Sequence, residues 1–214
     1  MKKTLLLLST LATSSLFAQF NANISDITPD IKQRMIEGDS WRQGCPVPLS
    51  ELRYVQANHW NFEGQTVSGE IIVHKEVATD MVYIFEELYN SHYPIRKMEL
   101  VSNYHGSDWA SIEADNTSAF NCRPVAGKKK KWSKHAYGKA IDINPLENPY
   151  VAKNGHISHK ESLKYRKREH HNNSVDEMAV ILKEDKITKI FKSYGWKWGG
   201  DWNTIKDYQH FVKK

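Results

Sequence analysis

The segment from Trp132 to Pro145, WSKHAYGKAIDINP, constrains the fold more than any other stretch of this sequence. An imidazole, His135, and a carboxylate, Asp142, lie in it with small residues between them that let the backbone turn tightly: Ala136, Gly138 and Ala140. The final part, KAIDINP, alternates apolar and polar residues and predicts a strand in which Asp142 points away from the face formed by two isoleucines. We therefore expect His135 and Asp142 to face one common space.

The first 18 residues predict a secretory signal peptide. Two lysines precede a short apolar run, which is followed by small residues and a plausible cleavage point after Ala18. The apolar run is short for a membrane span, and an uncleaved membrane anchor is the alternative. We expect export to the periplasm, the cell wall or the outside of the cell, with no stable membrane insertion after cleavage.

The remaining chain is the right size for one domain with a sizeable core. Residues 19–50 are polar and rich in turn-forming residues and predict an N-terminal arm, so that residues 51–214 form the main domain. GEIIVH (Gly69–His74) predicts a strand, and the apolar spacing that follows predicts an amphipathic helix ending before Pro94. Strands mixed with a few helices, without regular alternation, predict an α+β fold.

Two cysteines, Cys45 and Cys122, are predicted to form a disulfide. Export would place the chain in an oxidising compartment, where two cysteines pair by default. The alternative, a pair of metal-binding thiolates, lacks the close Cys-x-x-Cys spacing that metal sites favour. Such a bridge would close a long loop and stabilise the fold by about 3–5 kcal/mol in the chain-entropy model.

The chain is basic, with a formal net charge of +5 and a pI near 9.0. For an exported protein this charge favours anionic envelope polymers or anionic lipid over nucleic acid as partners. Four consecutive lysines, Lys128–Lys131, come just before the segment that holds His135. They form either a solvated surface loop or a patch that attracts a polyanionic substrate to a neighbouring cleft, and the sequence leaves both open.

Several catalytic classes lack their usual motifs in this sequence. There is no Gly-x-Ser-x-Gly elbow and no Ser-x-x-Lys with a downstream Lys-Thr-Gly. Nucleotide-binding glycine loops and the His-Glu-x-x-His zinc helix are also absent. Most of the ten histidines are isolated or fall in the charged, turn-rich residues 151–174, which predict a surface excursion. Any catalytic activity therefore depends on a different arrangement of residues.

A catalytic zinc ion needs three protein ligands and one open position for water. His135, Asp142 and His210 would provide a set of two histidines and one carboxylate. Asp207 lies three residues before His210, a spacing that allows it to stand beside the metal without binding it. Zinc would lower the pKa of its water and polarise a carbonyl, and Asp207 would accept and return the proton.

These residues occur in an order that resembles a known family. Ser-x-His-x-x-Gly-x-Ala-x-Asp at 133–142, followed by Asp-x-x-His at 207–210, resembles the zinc D-alanyl-D-alanine carboxypeptidases and L-alanyl-D-glutamate endopeptidases of the VanY and VanX type. The wider group shares its metal site and core fold with lysostaphin-type peptidases and the hedgehog signalling domain. The resemblance covers roughly residues 45–214 and includes the stretches NTSAFNCRP and YGWKWGGDW.

The resemblance implies a small antiparallel sheet that carries zinc and is flanked by helices. It implies Asp207 as general base and three zinc ligands, namely His135, Asp142 and His210. Arg123 matches the position from which such enzymes hold a substrate or transition-state oxygen, and its alternative is an ion pair near the disulfide. Ser118 and Ser133 would contact substrate or support the ligands, although a local turn role is equally open for both.

The sequence thus leads us to expect a monomeric, exported zinc metallopeptidase that hydrolyses amide bonds in peptidoglycan stem peptides. Three bonds stay open: the terminal D-Ala-D-Ala bond, the D,D-crosslink and the L-Ala-D-Glu bond. One alternative is a zinc-containing module that binds the cell wall without turnover, and another is a structural envelope protein. The presence of both Asp207 and Arg123 favours the enzyme.

Overall fold

The computed structural model describes residues 19–214, and the predicted signal peptide, residues 1–18, lies outside the described residues. The helices are α1 (Pro29–Glu37), α2 (Lys75–Asn90), α3 (Asp108–Glu113), α4 (Val175–Met178) and α5 (Lys186–Ser193). The strands are β1 (Ala22–Asp26), β2 (Leu52–Trp60), β3 (Thr66–His74), β4 (Lys97–Met98), β5 (Asn116–Thr117), β6 (Pro124–Val125), β7 (Lys128–Trp132), β8 (Ala140–Asp142), β9 (Tyr150–Val151), β10 (Lys197–Trp198), β11 (Lys206–Asp207) and β12 (His210–Val212). This mixture confirms the predicted α+β class.

Two small antiparallel sheets organise the molecule. The first has the order β1-β2-β3, and the second has the order β10-β12-β8. In the second sheet Asp142 of β8 lies directly opposite His210 of β12. The backbone of Ser118 pairs with that of Asp142 on the other side of β8, through hydrogen bonds of 2.8 and 3.0 Å. Asp142 is therefore held from both sides.

Both sheets pack on one hydrophobic core. Helix α2 contributes its apolar face to this core, with side chains at helical spacing: Val77, Met81, Ile84, Phe85 and Leu88. Ile141 and Ile143 enter the same core from β8 and the residue after it, next to Phe211 of β12. Because alternate residues of a strand point to opposite faces, burial of the two isoleucines directs Asp142 away from the core, as the sequence predicts.

Helix α2 starts where the sequence provides a cap. The Nδ1 atom of His74 accepts a hydrogen bond from the backbone N–H of Glu76 at 3.3 Å, which satisfies one of the free donors at the helix start. The backbone N–H of His74 donates to the carbonyl of Gly138 at 2.8 Å. This bond joins the end of β3 to the turn that follows His135.

Residues 95–104, IRKMELVSNY, have apolar residues typical of a strand, but most of the segment does not form one. Only Lys97–Met98 are paired as a strand, and a short 3-10 helix occupies Val101–Tyr104. The side chain of Asn116 explains the difference, because its amide accepts from the N–H of Glu99 at 2.8 Å and donates to the carbonyl of Glu99 at 3.0 Å. A side chain thus satisfies the backbone groups that a neighbouring strand would have paired.

The predicted disulfide is confirmed between Cys45 and Cys122, which are 77 positions apart in the sequence. A second apolar cluster surrounds it and includes side chains of α1 and Leu52. Strand β1, which lies in the predicted N-terminal arm, pairs with β2 over five positions. Within residues 19–214, no helix is both long and apolar enough to cross a membrane.

Removing this bridge is expected to destabilise the fold. The paired substitution Cys45→Ala/Cys122→Ala should lower the free energy of unfolding by about 4 kcal/mol, because the unfolded chain regains the entropy of an open loop. Urea unfolding followed by tryptophan fluorescence measures this change, and the reduced wild type is the matched control. A decrease in the free energy of unfolding below about 1 kcal/mol would show that noncovalent contacts keep residues 45 and 122 together without the disulfide.

Candidate metal centre

The three side chains that the sequence singles out as ligands meet at one point. Nδ1 of His210 lies 2.8 Å from Oδ1 of Asp142, and Nε2 of His135 lies 3.2 Å from Oδ2 of the same carboxylate. The two ring nitrogens are 3.2 Å apart. All three residues are buried. The convergence expected from the sequence is therefore present.

The imidazole of His135 is oriented by the backbone on its far side. Its Nδ1 atom lies 2.6 Å from the carbonyl oxygen of Ala119, and a carbonyl can only accept a hydrogen bond. Nδ1 therefore carries a proton, and Nε2 faces Asp142 and His210. A ring nitrogen fixed in this way by a second partner is the usual arrangement for a histidine that binds metal.

A tight backbone turn brings His135 and Asp142 together. His135 lies in a short 3-10 helix, Lys134–Tyr137, which ends at Gly138 with φ of 67°. A Cβ atom at Gly138 would lie 2.5 Å from the backbone nitrogen of His74, so both the dihedral angle and the close approach require glycine. The small residues in the motif thus have the role that the sequence predicts.

The electrostatics of the cluster favour an ionised carboxylate between two imidazoles. Burial alone would raise the pKa of Asp142, but the charges and hydrogen bonds of His135 and His210 lower it well below its usual range. Burial lowers the pKa of His210, but hydrogen bonding to Asp142 raises it above its ordinary value. The charge of Asp207 also raises the pKa of the His210 imidazole, and that of Arg123 lowers it.

The donor set fits a zinc ion. Zinc binds imidazole nitrogen and carboxylate oxygen at about 2.0–2.2 Å in a tetrahedron, which places neighbouring donor atoms about 3.3 Å apart. The separations here, from 2.8 to 3.2 Å, are close to that value. Among the residues that the structure describes, His135, Asp142 and His210 form the group whose ligand atoms all lie within 4.8 Å of one another. Two imidazoles and one carboxylate would leave a fourth position for water or substrate.

Asp207 approaches the cluster from a separate strand. It ends β11, opposite Tyr150 of β9, and a Cβ atom on Gly199 would lie 2.4 Å from the Asp207 carbonyl oxygen. Its Oδ1 atom is buried and has no hydrogen-bond partner among residues 19–214. Burial raises the pKa of Asp207 to about 6, while the charge of His210 lowers it and that of Asp142 raises it. A carboxyl group in this state is suited to proton exchange.

Arg123 is held by an acid that sequence reasoning missed. Its Nη2 atom lies 2.7 Å from Oδ1 of Asp108, the first residue of α3. Its Nε atom is buried and has no partner within the described part of the chain. The predicted alternative, an ion pair near the disulfide, is thus present, and the predicted substrate role of Arg123 stays a prediction. No motif links Asp108 to Arg123, since the two residues meet only through the fold.

The two serines differ in their contacts. The Oγ atom of Ser133 accepts a hydrogen bond from the backbone N–H of His135 at 3.3 Å, so this serine caps the 3-10 helix and orients the ligand. Ser118 is buried, and its backbone pairs with Asp142. Ser133 thus supports His135, and Ser118 pairs with Asp142. Of the two roles that the sequence left open for Ser133, the local turn contact is present.

The charged excursion, residues 151–174, connects two sides of the site. It leaves from β9, whose Tyr150 pairs with Asp207, and the ring of His159 stacks on Trp109 at a centroid distance of 3.9 Å. Trp109 follows Asp108 in α3. The excursion therefore runs from the strand beside Asp207 to the helix that holds Arg123.

One comparison with known proteins gives a match. Residues 126–213 match the model of a protein family described as D-alanyl-D-alanine carboxypeptidase. The matched range is less than half of the chain, and it contains both motifs, at 133–142 and 207–210. No curated protein and no solved structure matches the chain. The match supports the family that the sequence predicts, and that family consists of peptidases.

Gly138 offers a test of how the turn shapes the metal centre. Gly138→Ala should weaken zinc binding at least about tenfold, because an added Cβ meets the backbone of His74 and shifts the segment carrying His135. Isothermal titration of the metal-free protein with zinc measures the affinity and the number of sites.

Gly127→Ala is the matched control, because Gly127 has a similar φ of 72° but no heavy atom within 4 Å of an added Cβ. It should lose about 1–2 kcal/mol of stability from the dihedral angle and keep its zinc affinity. Equal zinc affinities for the two variants would contradict the role assigned to Gly138.

Proposed function

We propose that the protein is an exported zinc metallopeptidase acting on peptidoglycan stem peptides, on the basis of the match of residues 126–213 to the D-alanyl-D-alanine carboxypeptidase family model. The observation that carries the proposal is the convergence of His135, Asp142 and His210 beside the carboxyl group of Asp207. The three ligand residues alone would also fit a metal ion that only stabilises the fold. A further acid without a hydrogen-bond partner on its Oδ1 atom supports catalysis.

In this proposal His135, Asp142 and His210 hold the zinc ion. Zinc at this position supplies a Lewis acid that polarises a scissile carbonyl and makes water a better nucleophile at neutral pH. Asp207 accepts a proton from the attacking water and returns it to the leaving nitrogen. Ala119 and Ser133 keep the His135 imidazole in the orientation that binding requires.

Arg123 binds the oxygen on which negative charge develops. Its guanidinium stays charged at any physiological pH and offers several donors in a fixed plane. Asp108 accepts from Nη2 and the carbonyl of Pro124 accepts from Nη1 at 3.5 Å, which fixes the plane, while the buried Nε atom has no partner within residues 19–214 and is left for substrate. Removing one such donor from an oxyanion costs about 3–4 kcal/mol of transition-state stabilisation in known hydrolases.

The substrate class follows from three features together. The family description names D-alanyl-D-alanine, a dipeptide at the end of bacterial stem peptides. The N-terminal signal sequence and the Cys45–Cys122 disulfide support an extracytoplasmic location. The excursion at 151–174, which runs from β9 to α3, forms one wall of the cleft and contributes to the choice among the three candidate bonds.

The rival function is a zinc-containing module that binds cell wall without turnover. Such a module needs the three ligands but has no use for Asp207 or for a guanidinium beside His210. The partner-free Oδ1 atom of Asp207 and the position of Arg123 favour the enzyme.

Asp207→Asn tests the proposed chemistry. The variant should lose at least about a hundredfold in turnover, because an amide cannot accept the proton, and should bind one zinc ion as the wild type does. Digestion of purified muropeptides with mass-spectrometric readout measures turnover and identifies the bond, and a chelator should abolish all products.

Asp201→Asn is the control for this experiment, since Asp201 is a nearby acid that pairs with Lys192 at 2.8 Å. It should keep wild-type turnover. Full activity in Asp207→Asn, or an absence of products from the zinc-loaded wild type, would refute the peptidase and favour the binding module.

Asp108→Asn tests the support of Arg123. The variant should lose about ten- to a hundredfold in kcat/KM, because the guanidinium is no longer fixed by a charged partner. Its zinc affinity should not change. Steady-state kinetics on a peptide ending in D-Ala-D-Ala measure the effect.

Asp26→Asn removes a comparable Asp–Arg pair, with Arg53 at 3.2 Å, on strands that contribute no site residue. It should leave kcat/KM unchanged. If both variants behave alike, Asp108 has no part in holding Arg123 for the reaction.

A further inference from the structure

The lysine run forms a strand rather than the loop considered from the sequence. Lys128–Trp132 make up β7, which pairs with β6 in a two-stranded antiparallel hairpin. The hairpin turns at Ala126 and Gly127, both of which are exposed. Val125 pairs with Lys128 and Pro124 pairs with Trp132, with a register shift between the two pairs, so β7 is held at both ends and Lys130 and Lys131 are exposed between them.

The base of the hairpin lies next to the segment that carries His135 of the candidate metal centre. The N–H of Ser133 donates to the carbonyl of Arg123 at 3.0 Å, so these two residues close the base of the hairpin. Cys122 ties one side of that base to Cys45, and Trp132 packs against the apolar cluster around the disulfide. With a rise of about 3.3 Å per residue, the lysines lie about 7–17 Å along the strand from Ser133.

The exposed lysines of β7 have no acidic residue near them in the sequence. Between Asp115 and Asp142 the sequence contains seven Lys or Arg residues and no Asp or Glu. Lys128, Lys130 and Lys131 are exposed, and none of them forms an ion pair with another residue in the range 19–214. Other lysines in the same molecule do form such pairs: Lys139 with Glu76, Lys164 with Asp176 and Lys192 with Asp201.

We propose that the β6–β7 hairpin binds the carboxylate-rich polymer that carries the substrate and holds it against the cleft. This inference rests on the proposed function, because the stem peptides of that polymer bear free carboxylates. At physiological ionic strength a charge acts over about 8 Å, so Lys131 acts on a polymer strand at the metal centre, and Lys130 and Lys128 act on the part of the same strand that extends beyond it.

The geometry favours an extended polymer over a small ligand. The lysines stand on one exposed strand and enclose no cavity, so they match a repeated series of charges rather than a single anion. Envelope polymers that carry phosphate share this anionic chemistry, and the experiment below separates the two sources. If the lysines were only a solvated surface segment, their position next to Arg123 and Ser133 would have no reason. A role in binding the substrate polymer accounts for that position.

The test measures binding to purified peptidoglycan sacculi by co-sedimentation. All proteins carry Asp207→Asn, so that the polymer is not consumed. The triple variant Lys128→Gln/Lys130→Gln/Lys131→Gln should bind about tenfold more weakly at low salt, and the difference should shrink as salt is added. Thermal unfolding and zinc content establish that the variant is folded.

The matched control is Lys183→Gln/Lys186→Gln/Lys189→Gln, which removes the same charge from exposed positions in or next to α5. It should bind sacculi within about twofold of the parent. Amidation of the sacculus carboxylates should weaken binding of the parent as much as the hairpin variant does. Removal of phosphate polymers alone should leave binding intact.

Equal binding by the two triple variants would overturn the proposal. So would unchanged binding to amidated sacculi, or loss of binding when only phosphate polymers are removed. The binding result does not depend on turnover. An absence of cleavage products would therefore refute the peptidase while leaving the hairpin assignment to be decided by sedimentation alone.

Discussion

The pairing of Asp142 with His210 across β8 and β12 is the contact on which the rest of the site depends. It places a carboxylate and an imidazole from distant parts of the chain on adjacent strands, with the isoleucines beside Asp142 fixed in the core. A buried carboxylate is costly unless partners compensate its charge, and here His135 and His210 do so. The two imidazoles that stabilise the buried carboxylate of Asp142 are thus also, together with it, a set of donors that suits a metal ion.

The remaining groups come from elements outside the second sheet. Asp207 comes from β11, Arg123 from the base of the lysine hairpin, and Asp108 from α3. The disulfide at Cys122 fixes the backbone next to Arg123. Each supporting contact restricts one side chain, so that the ligands, the acid and the guanidinium face the same place without relying on flexible loops.

Much of this arrangement was predictable because its causes are local in sequence. The helical spacing of α2, the alternation around Asp142 and the small residues before it each follow from short-range geometry. Strand β2 was not predicted, because its buried positions include a small residue, Ala57, and a histidine, His59, which weaken the alternation of apolar and polar residues. Asp108 and the carbonyl of Ala119 were also missed, since their contacts with Arg123 and His135 join segments that no motif connects.

The central claim is that two imidazoles and one aspartate share a single ion. Anomalous X-ray diffraction at the zinc absorption edge, on crystals of the zinc-loaded protein, tests it most directly. The account predicts one strong peak within bonding distance of Nε2 of His135, the carboxylate of Asp142 and Nδ1 of His210. A peak at the exposed histidines of the 151–174 excursion, with none at these three residues, would contradict it.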